Sequence, residues 1–222
     1  MIKGVLFDFN GVLLLDTKWH EEAWDELSMY LRKTHITKEE SEQFIHGATP
    51  YDTLAFLLGR PATSEETKEL LDRKEKLYQD VTLSHGTEFK LNDGAIALFE
   101  MLEANGISKT IATSSPWVNL EFYYKYLGLE KWFPIKNTVY GDGIIPGKPA
   151  PDIFLKAAKN IGQKPEDCLV IEDANSGVNA AKAAGAGKII FLLNADNLAV
   201  SQKVSVTRIV KSLADITMAD LA

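Results

Sequence analysis

The apolar positions change their period twice along the chain. Ile2 to Phe9 is a short apolar run closed by the turn pair Asn10-Gly11, a pattern that predicts a buried strand. Between Trp19 and about Tyr78 the spacing becomes helical. It appears in Trp19, Ala23, Trp24, Leu27 and Tyr30, in Leu54, Phe56, Leu57 and Leu58, and in Leu70, Leu71, Leu77 and Tyr78. Several helices in a row without strands predict a separate all-helical unit. Strand and helix then alternate. Helices are expected over 92–105 (with Gly106 as the C′ residue), 117–127, 151–161 and 176–184, and strands over 107–113, 168–171 and 188–193. Such alternation builds βαβ units and a parallel sheet covered on both faces. The expected architecture is therefore α/β. A doubly wound parallel sheet comes from residues 1–15 and 86–222, and an all-helical cap is inserted at 16–85, joined near Asp16 and near His85.

Composition narrows the function classes. The chain has 222 residues, 45% of them hydrophobic and 25% charged, so a packed core is expected. A net charge of -7 without a basic stripe argues against a nucleic-acid partner, because backbone binding rests on clustered Lys and Arg. The single cysteine, Cys168, lies in an apolar run and reads as a small buried hydrophobe. Asp8 interrupts the N-terminal apolar stretch too early for a signal peptide, and no run approaches a membrane span. The expectation is a cytoplasmic protein without a membrane or nucleic-acid partner, a monomer or weak homodimer. His35, His46 and His85 show no ligand spacing and are assigned no role.

The chemistry lies where three buried-type strands end in polar residues: Val5-Leu6-Phe7-Asp8, Ile111-Ala112-Thr113-Ser114-Ser115, and Val170-Ile171-Glu172-Asp173. Ligands of open parallel sheets bind outside the carboxyl ends of the strands. Three carboxylates and a hydroxyl-rich turn at that edge suit an oxygen-loving cation such as Mg2+ together with a phosphate. Taken singly, an Asp after a strand is a turn former and a Ser or Thr a helix cap. The combination carries more. "DFNGV", "TSS", "GKPAPDIF" and "IEDANSGVNAAKAAG" occur in order, and from Ile2 to about Leu193 the chain resembles the haloacid dehalogenase superfamily. Within it the resemblance is to the β-phosphoglucomutase-like phosphatases, with a Rossmann-like core and a helical cap.

That resemblance implies a Mg2+-dependent phosphomonoester hydrolase acting on a small phosphorylated metabolite. Asp8 would be the nucleophile, forming an aspartyl-phosphate. Thr113 and the backbone N–H of Ser114 would hold phosphoryl oxygens, and Lys148 would offset charge. Asp8, the backbone carbonyl of residue 10 and Asp173 would bind Mg2+ directly, and Glu172 through water. The family's phosphatases and mutases carry a second Asp two residues after the nucleophile, as general acid and base. Here Asn10 stands in its place, and losing such a group costs on the order of 10²–10⁴ in rate. Asn10 leaves four readings open: an introduced change, a substrate whose leaving group needs no proton, replacement by His20, or a catalytically weak binder. In the cap, His20 and Lys74 are candidate substrate residues. His20 also reads as a partly buried packing residue, and Lys74 as a solvated side chain on an exposed helix face. The stretch Gly47-Ala48-Thr49-Pro50 has Pro50 where a mutase of this family places the Arg that grips a second phosphate. This favours hydrolase over sugar-phosphate mutase; the third reading is a non-catalytic phosphate-binding or regulatory protein.

Overall fold

The structure is a computed structural model and describes residues 1–45, 48–194, 197–198 and 205–222. His46 and Gly47 lie outside the described residues. The chain divides into two compact units, one of Met1–Leu15 with Lys90–Ala222 and one of Asp16–Phe89.

The first unit is an α/β fold around a six-stranded, all-parallel sheet. In chain order its strands are β1 (Gly4–Phe7), β2 (Ser108–Pro116), β3 (Val139–Gly141), β4 (Cys168–Glu172), β5 (Lys188–Leu192) and β6 (Arg208–Val210). The order across the sheet is β3-β2-β1-β4-β5-β6. The sheet is wound outward in both directions from β1, so the strand order reverses between β1 and β4, where such sheets bind ligands. Phe7 pairs with Ile111 on one side and Ile171 on the other. One residue further on, Asp8 and Glu172 emerge side by side at the carboxyl edge. All of β1 and β4 is buried, which explains their unbroken apolar sequence. Phe7, Phe99 and Phe133 pack edge to face at 4.9–5.9 Å between centroids.

The second unit is all-helical: α1 (Thr17–Arg32), α2 (Lys38–Phe44), α3 (Pro50–Leu58) and α4 (Ser64–Ser84). Its apolar cluster gathers Trp24, Leu27, Leu54, Leu57 and Leu70, the residues whose spacing marked the helices. α2 escaped the periodicity because it buries no residue. A capping box between Thr37 and Glu40 supports its first turn instead. The core helices are α5 (Ala95–Ala104), α6 (Trp117–Leu127), α7 (Asp152–Asn160) and α8 (Asn175–Ala183).

Two expectations need correction. β2 does not stop at Thr113 but continues through Ser114 and Ser115 to Pro116. β3 and β6, three residues each, had no periodic signal long enough to read. Among the described residues no helix is long and apolar enough to cross a membrane.

Candidate active site

Asp8 is 8% exposed, and its Oδ1 accepts a hydrogen bond from Lys148 Nζ at 2.6 Å. The same ammonium donates to Glu172 Oε1 at 2.5 Å. The other oxygen of Glu172 accepts the backbone N–H groups of Asp173 (3.0 Å) and Ala174 (3.1 Å) as the chain leaves β4 for α8. Two glycines make room for these carboxylates. Gly11 has φ +79°, and a Cβ there would lie 2.0 Å from Asp173 Oδ2; a Cβ on Gly177 would lie 1.7 Å from Glu172 Oε1. One oxygen from each of Asp8, Glu172 and Asp173 lies within 4.8 Å of the others.

The electrostatics follow from crowding and burial. Burial raises the Asp8 carboxyl to about 7; the Lys148 ammonium opposes this and Glu172 adds to it. Asp173 is raised well above the usual carboxylate range, first by burial and then by Glu172 and Asp8. Burial also pulls on Lys148, but the two carboxylates outweigh it and hold the ammonium above its usual range. One lysine does not neutralise three carboxylates, so the fully ionised cluster carries excess negative charge. An all-oxygen donor set of that charge fits a hard divalent cation.

Asn10 is built into its surroundings. Its Oδ1 accepts from Ser115 Oγ at 2.5 Å and from Thr113 Oγ1 at 3.4 Å. Its Nδ2 donates to the Tyr123 hydroxyl at 2.9 Å. Tyr123 is fully buried, and its ring stacks on Phe9 at 4.2 Å. Ser115 and Tyr123 were not among the residues singled out from the sequence. Alternation along β2 puts Ser115 on the same side as Thr113, a signal that was available. Tyr123 had none, since it is one of five aromatics on its helix and reads as core. Ser114, by contrast, is exposed. Asn194 and Asn197 also escaped notice. Asn194 Nδ2 donates to the Gly11 carbonyl at 3.3 Å and to Asp173 Oδ2 at 3.4 Å, and Asn197 Nδ2 donates to the Asp173 carbonyl at 3.0 Å.

Within the helical unit His20 and Lys74 do meet. Lys74 is not the solvated side chain expected of an exposed face: it is 4% exposed because α4 turns it inward between the Trp24 and Tyr78 rings, 5.3 and 5.4 Å from their centroids. Its Nζ donates to His20 Nδ1 at 2.8 Å and to Glu75 at 3.3 Å. His20 stacks on Tyr78 at 3.9 Å, and its Nε2 faces Asp16 Oδ2 at 3.4 Å. The Tyr78 hydroxyl donates to that same carboxylate oxygen at 2.5 Å. Burial pulls the Lys74 ammonium below its usual range, against the opposing pull of Glu75 and Asp16.

A doubly wound sheet with a buried Asp-Lys-Glu-Asp cluster at its switch point defines a class of phosphate-handling α/β enzymes. Residues 2–185 match the model of the haloacid dehalogenase-like hydrolases, and the chain belongs to that family. It is 31% identical to hexitol phosphatase A of Escherichia coli strain K12, covering 97% of this chain and 94% of that protein. It is 32% identical to a β-phosphoglucomutase of Bacillus subtilis strain 168, covering 83% and 80%. A solved structure of a HAD hydrolase, family IA, variant 3, from Entamoeba histolytica HM-1:IMSS superposes with a TM-score of 0.92 at 35% identity, covering 99% of this chain and 97% of that one. The protein is a hydrolase of the phosphatase type.

Proposed function

We propose that the protein is a Mg2+-dependent phosphomonoester hydrolase in which Asp8 is the nucleophile. The observation that carries this reading is the Asp8–Lys148–Glu172–Asp173 cluster at the switch point. An Asp8 oxygen attacks phosphorus, the P–O bond to the ester oxygen breaks, and an aspartyl-phosphate forms. Water then attacks that phosphorus and releases inorganic phosphate and Asp8. Lys148 draws negative charge away from Asp8 and the phosphoryl group, while Thr113 and the Ser114 backbone N–H hold phosphoryl oxygens. Mg2+, when bound by Asp8, Asp173, the Asn10 carbonyl and, through water, Glu172, supplies charge neutralisation at the transferring group.

Asn10 sets the limit of this chemistry. A carboxamide neither protonates an alkoxide leaving group nor activates water, so both half-reactions run without that help. His20 is a weak substitute. Lys74 occupies its Nδ1, and its Nε2 faces Asp16. Slow turnover, or a substrate whose leaving group departs unprotonated, is the consequence. The relatives named hexitol phosphatase and β-phosphoglucomutase point to a small phosphorylated sugar or polyol. Pro50 opens α3 as its first residue, with no cation at that position for a second phosphate, which favours hydrolysis over mutation. Phosphate release from a panel of phosphorylated metabolites, with Mg2+ and with EDTA, tests the proposal. Metal-dependent ligand binding with no release from any of them would replace it with a binder, the reading Asn10 favours next.

A further inference from the structure

The protein has four tryptophans, and one differs from the rest. Trp19, Trp24 and Trp132 are 5–7% exposed, whereas Trp117 is 42% exposed. Trp117 is the first residue of α6 and follows directly on Pro116, the last residue of β2. Nothing local favours an aromatic there. Pro116, at the N-cap, offers no side-chain bond to the helix, and an exposed indole forgoes the burial that aromatic rings contribute. Departures of this kind from local preference concentrate at functional sites.

The register between β2 and β3 shifts just before Trp117. Ala112 pairs with Val139 and Pro116 with Gly141, so β2 takes four steps where β3 takes two. Bulges beside active sites re-aim side chains. Within the shifted stretch Thr113 Oγ1 and Ser115 Oγ lie 3.4 and 2.5 Å from Asn10 Oδ1. Gly141 accommodates it, because a Cβ there would lie 2.3 Å from the Ser114 carbonyl oxygen. Two residues beyond Ser115, the Trp117 ring comes to rest 5.2 Å from the Tyr140 ring of β3, tilted by 55°. A partly exposed aromatic ring thus follows the strand end on the sheet edge that carries Asp8, with a second ring beside it. The flanking segments 113–124 and 137–147 contain no Lys or Arg, so a charged group finds no counterion in them.

We infer that Trp117, backed by Tyr140, is a specificity-determining residue: it stacks on an uncharged ring in the organic part of a phosphomonoester and gives no purchase to a second phosphate. The inference rests on the phosphatase reading for its substrate class. The ring is a sugar or a planar heterocycle, since both present a face that an indole stacks against.

Because Trp117 is the exposed tryptophan, acrylamide quenching of fluorescence reports on it in the intact protein. Asp8→Asn protein, in which turnover is blocked, is titrated with glucose 6-phosphate, a nucleoside 5′-monophosphate, glycerol 3-phosphate, fructose 1,6-bisphosphate and inorganic phosphate. At least one ring monophosphate shields the fluorescence, while glycerol 3-phosphate and inorganic phosphate do not; which ring ester does so separates sugar from heterocycle. Trp117→Ala lowers kcat/KM for that ester, relative to acetyl phosphate, by roughly tenfold, the scale of one aromatic contact, and Trp117→Phe restores most of it. Shielding by phosphate alone, stronger shielding by the bisphosphate, or an equal loss on ring and ringless substrates would overturn the platform. Shielding by a ring ester with no phosphate release by the wild-type protein would overturn the hydrolase reading and leave the platform standing.

Discussion

Lys148 in the α/β unit and Lys74 in the helical unit are both buried, and their surroundings differ in charge. Lys148 lies between the carboxylates of Asp8 and Glu172, with Asp173 beside them. Its proton is held firmly, yet Asp8 and Asp173 are pushed up, first by burial and then by the neighbouring carboxylates. Lys74 meets an imidazole nitrogen, one direct carboxylate and two aromatic faces. The His20 ring lies between Lys74 and Asp16, with Nδ1 at Lys74 Nζ and Nε2 towards Asp16. In the helical cluster the lysine meets one carboxylate directly, whereas in the core cluster three carboxylates gather around it. A buried lysine therefore says little about function until the carboxylates around it are counted against it.

The contrast can be broken most sharply by removing the nucleophile. Asp8→Asn should abolish phosphate release down to the uncatalysed background, and Lys148→Met should reduce it by roughly 10²–10³-fold, as loss of a charge-stabilising donor does. A continuous phosphate-release assay measures both. Retention of activity in Asp8→Asn would remove the core cluster from the chemistry.

The next effect is a gain. Asn10→Asp should raise kcat on an alkyl phosphate about 10²-fold and raise it less on acetyl phosphate, whose leaving group departs unprotonated. Peptide mass spectrometry should first exclude an Asp-containing fraction, since Asn10-Gly11 is a pair prone to deamidation. An equal gain on both substrates would mean that protonation of the leaving group is not what Asn10 lacks.

Cation binding separates the clusters thermodynamically. At a Mg2+ concentration 100-fold above its Kd, the folded state should gain about 2.7 kcal/mol. Asp173→Ala should abolish the gain and Lys74→Met should leave it. The pH dependence has a definite sign. A carboxyl at about 7 in the folded protein and 3.8 when free binds more protons folded than unfolded between those values. Without metal, the Asp8 contribution to stability is therefore fully present below about pH 4 and falls as pH rises towards 7, and Mg2+ should flatten that slope. Thermal melts across pH, with and without Mg2+, measure it; a metal-free Asp8-dependent slope of opposite sign would contradict a carboxyl raised by burial.

The smallest expected effect lies in the helical unit. Lys74→Met should cost about 1–3 kcal/mol in urea unfolding, the penalty for leaving buried hydrogen-bonding groups unpaired. If it also removed the Mg2+ effect, the two clusters would be one network and the contrast would fail.

Much of this architecture was readable before any coordinates. Long periodic segments announced themselves: the helical runs around Trp24 and Leu70, the buried strands ending at Asp8 and Asp173, and helix 117–127 with its bounds as observed. Strand ends that turn polar marked the candidate site because three of them share one sheet edge, although each alone reads as a turn former or helix cap. Short elements gave no such signal. A three-residue strand such as β3 or β6 is shorter than one readable alternation, and α2 has no apolar face.

By itself the chain determined the α/β class, the inserted run of helices and the residues that close each strand, since these depend on local period and on neighbours in sequence. Only the tertiary structure decided which polar groups touch. Asn10 finds Tyr123 113 residues away, Lys148 finds Asp8 140 residues away, and Lys74 turns inward to His20 across 54 residues. The register shift of β2 between Ala112 and Pro116 likewise exists only against β3. Side chains so far apart in sequence leave no period for a reader to find. What brings them together is the sheet order and the packing of helices, where burial, hydrogen-bond geometry and net charge act on groups that local sequence does not connect.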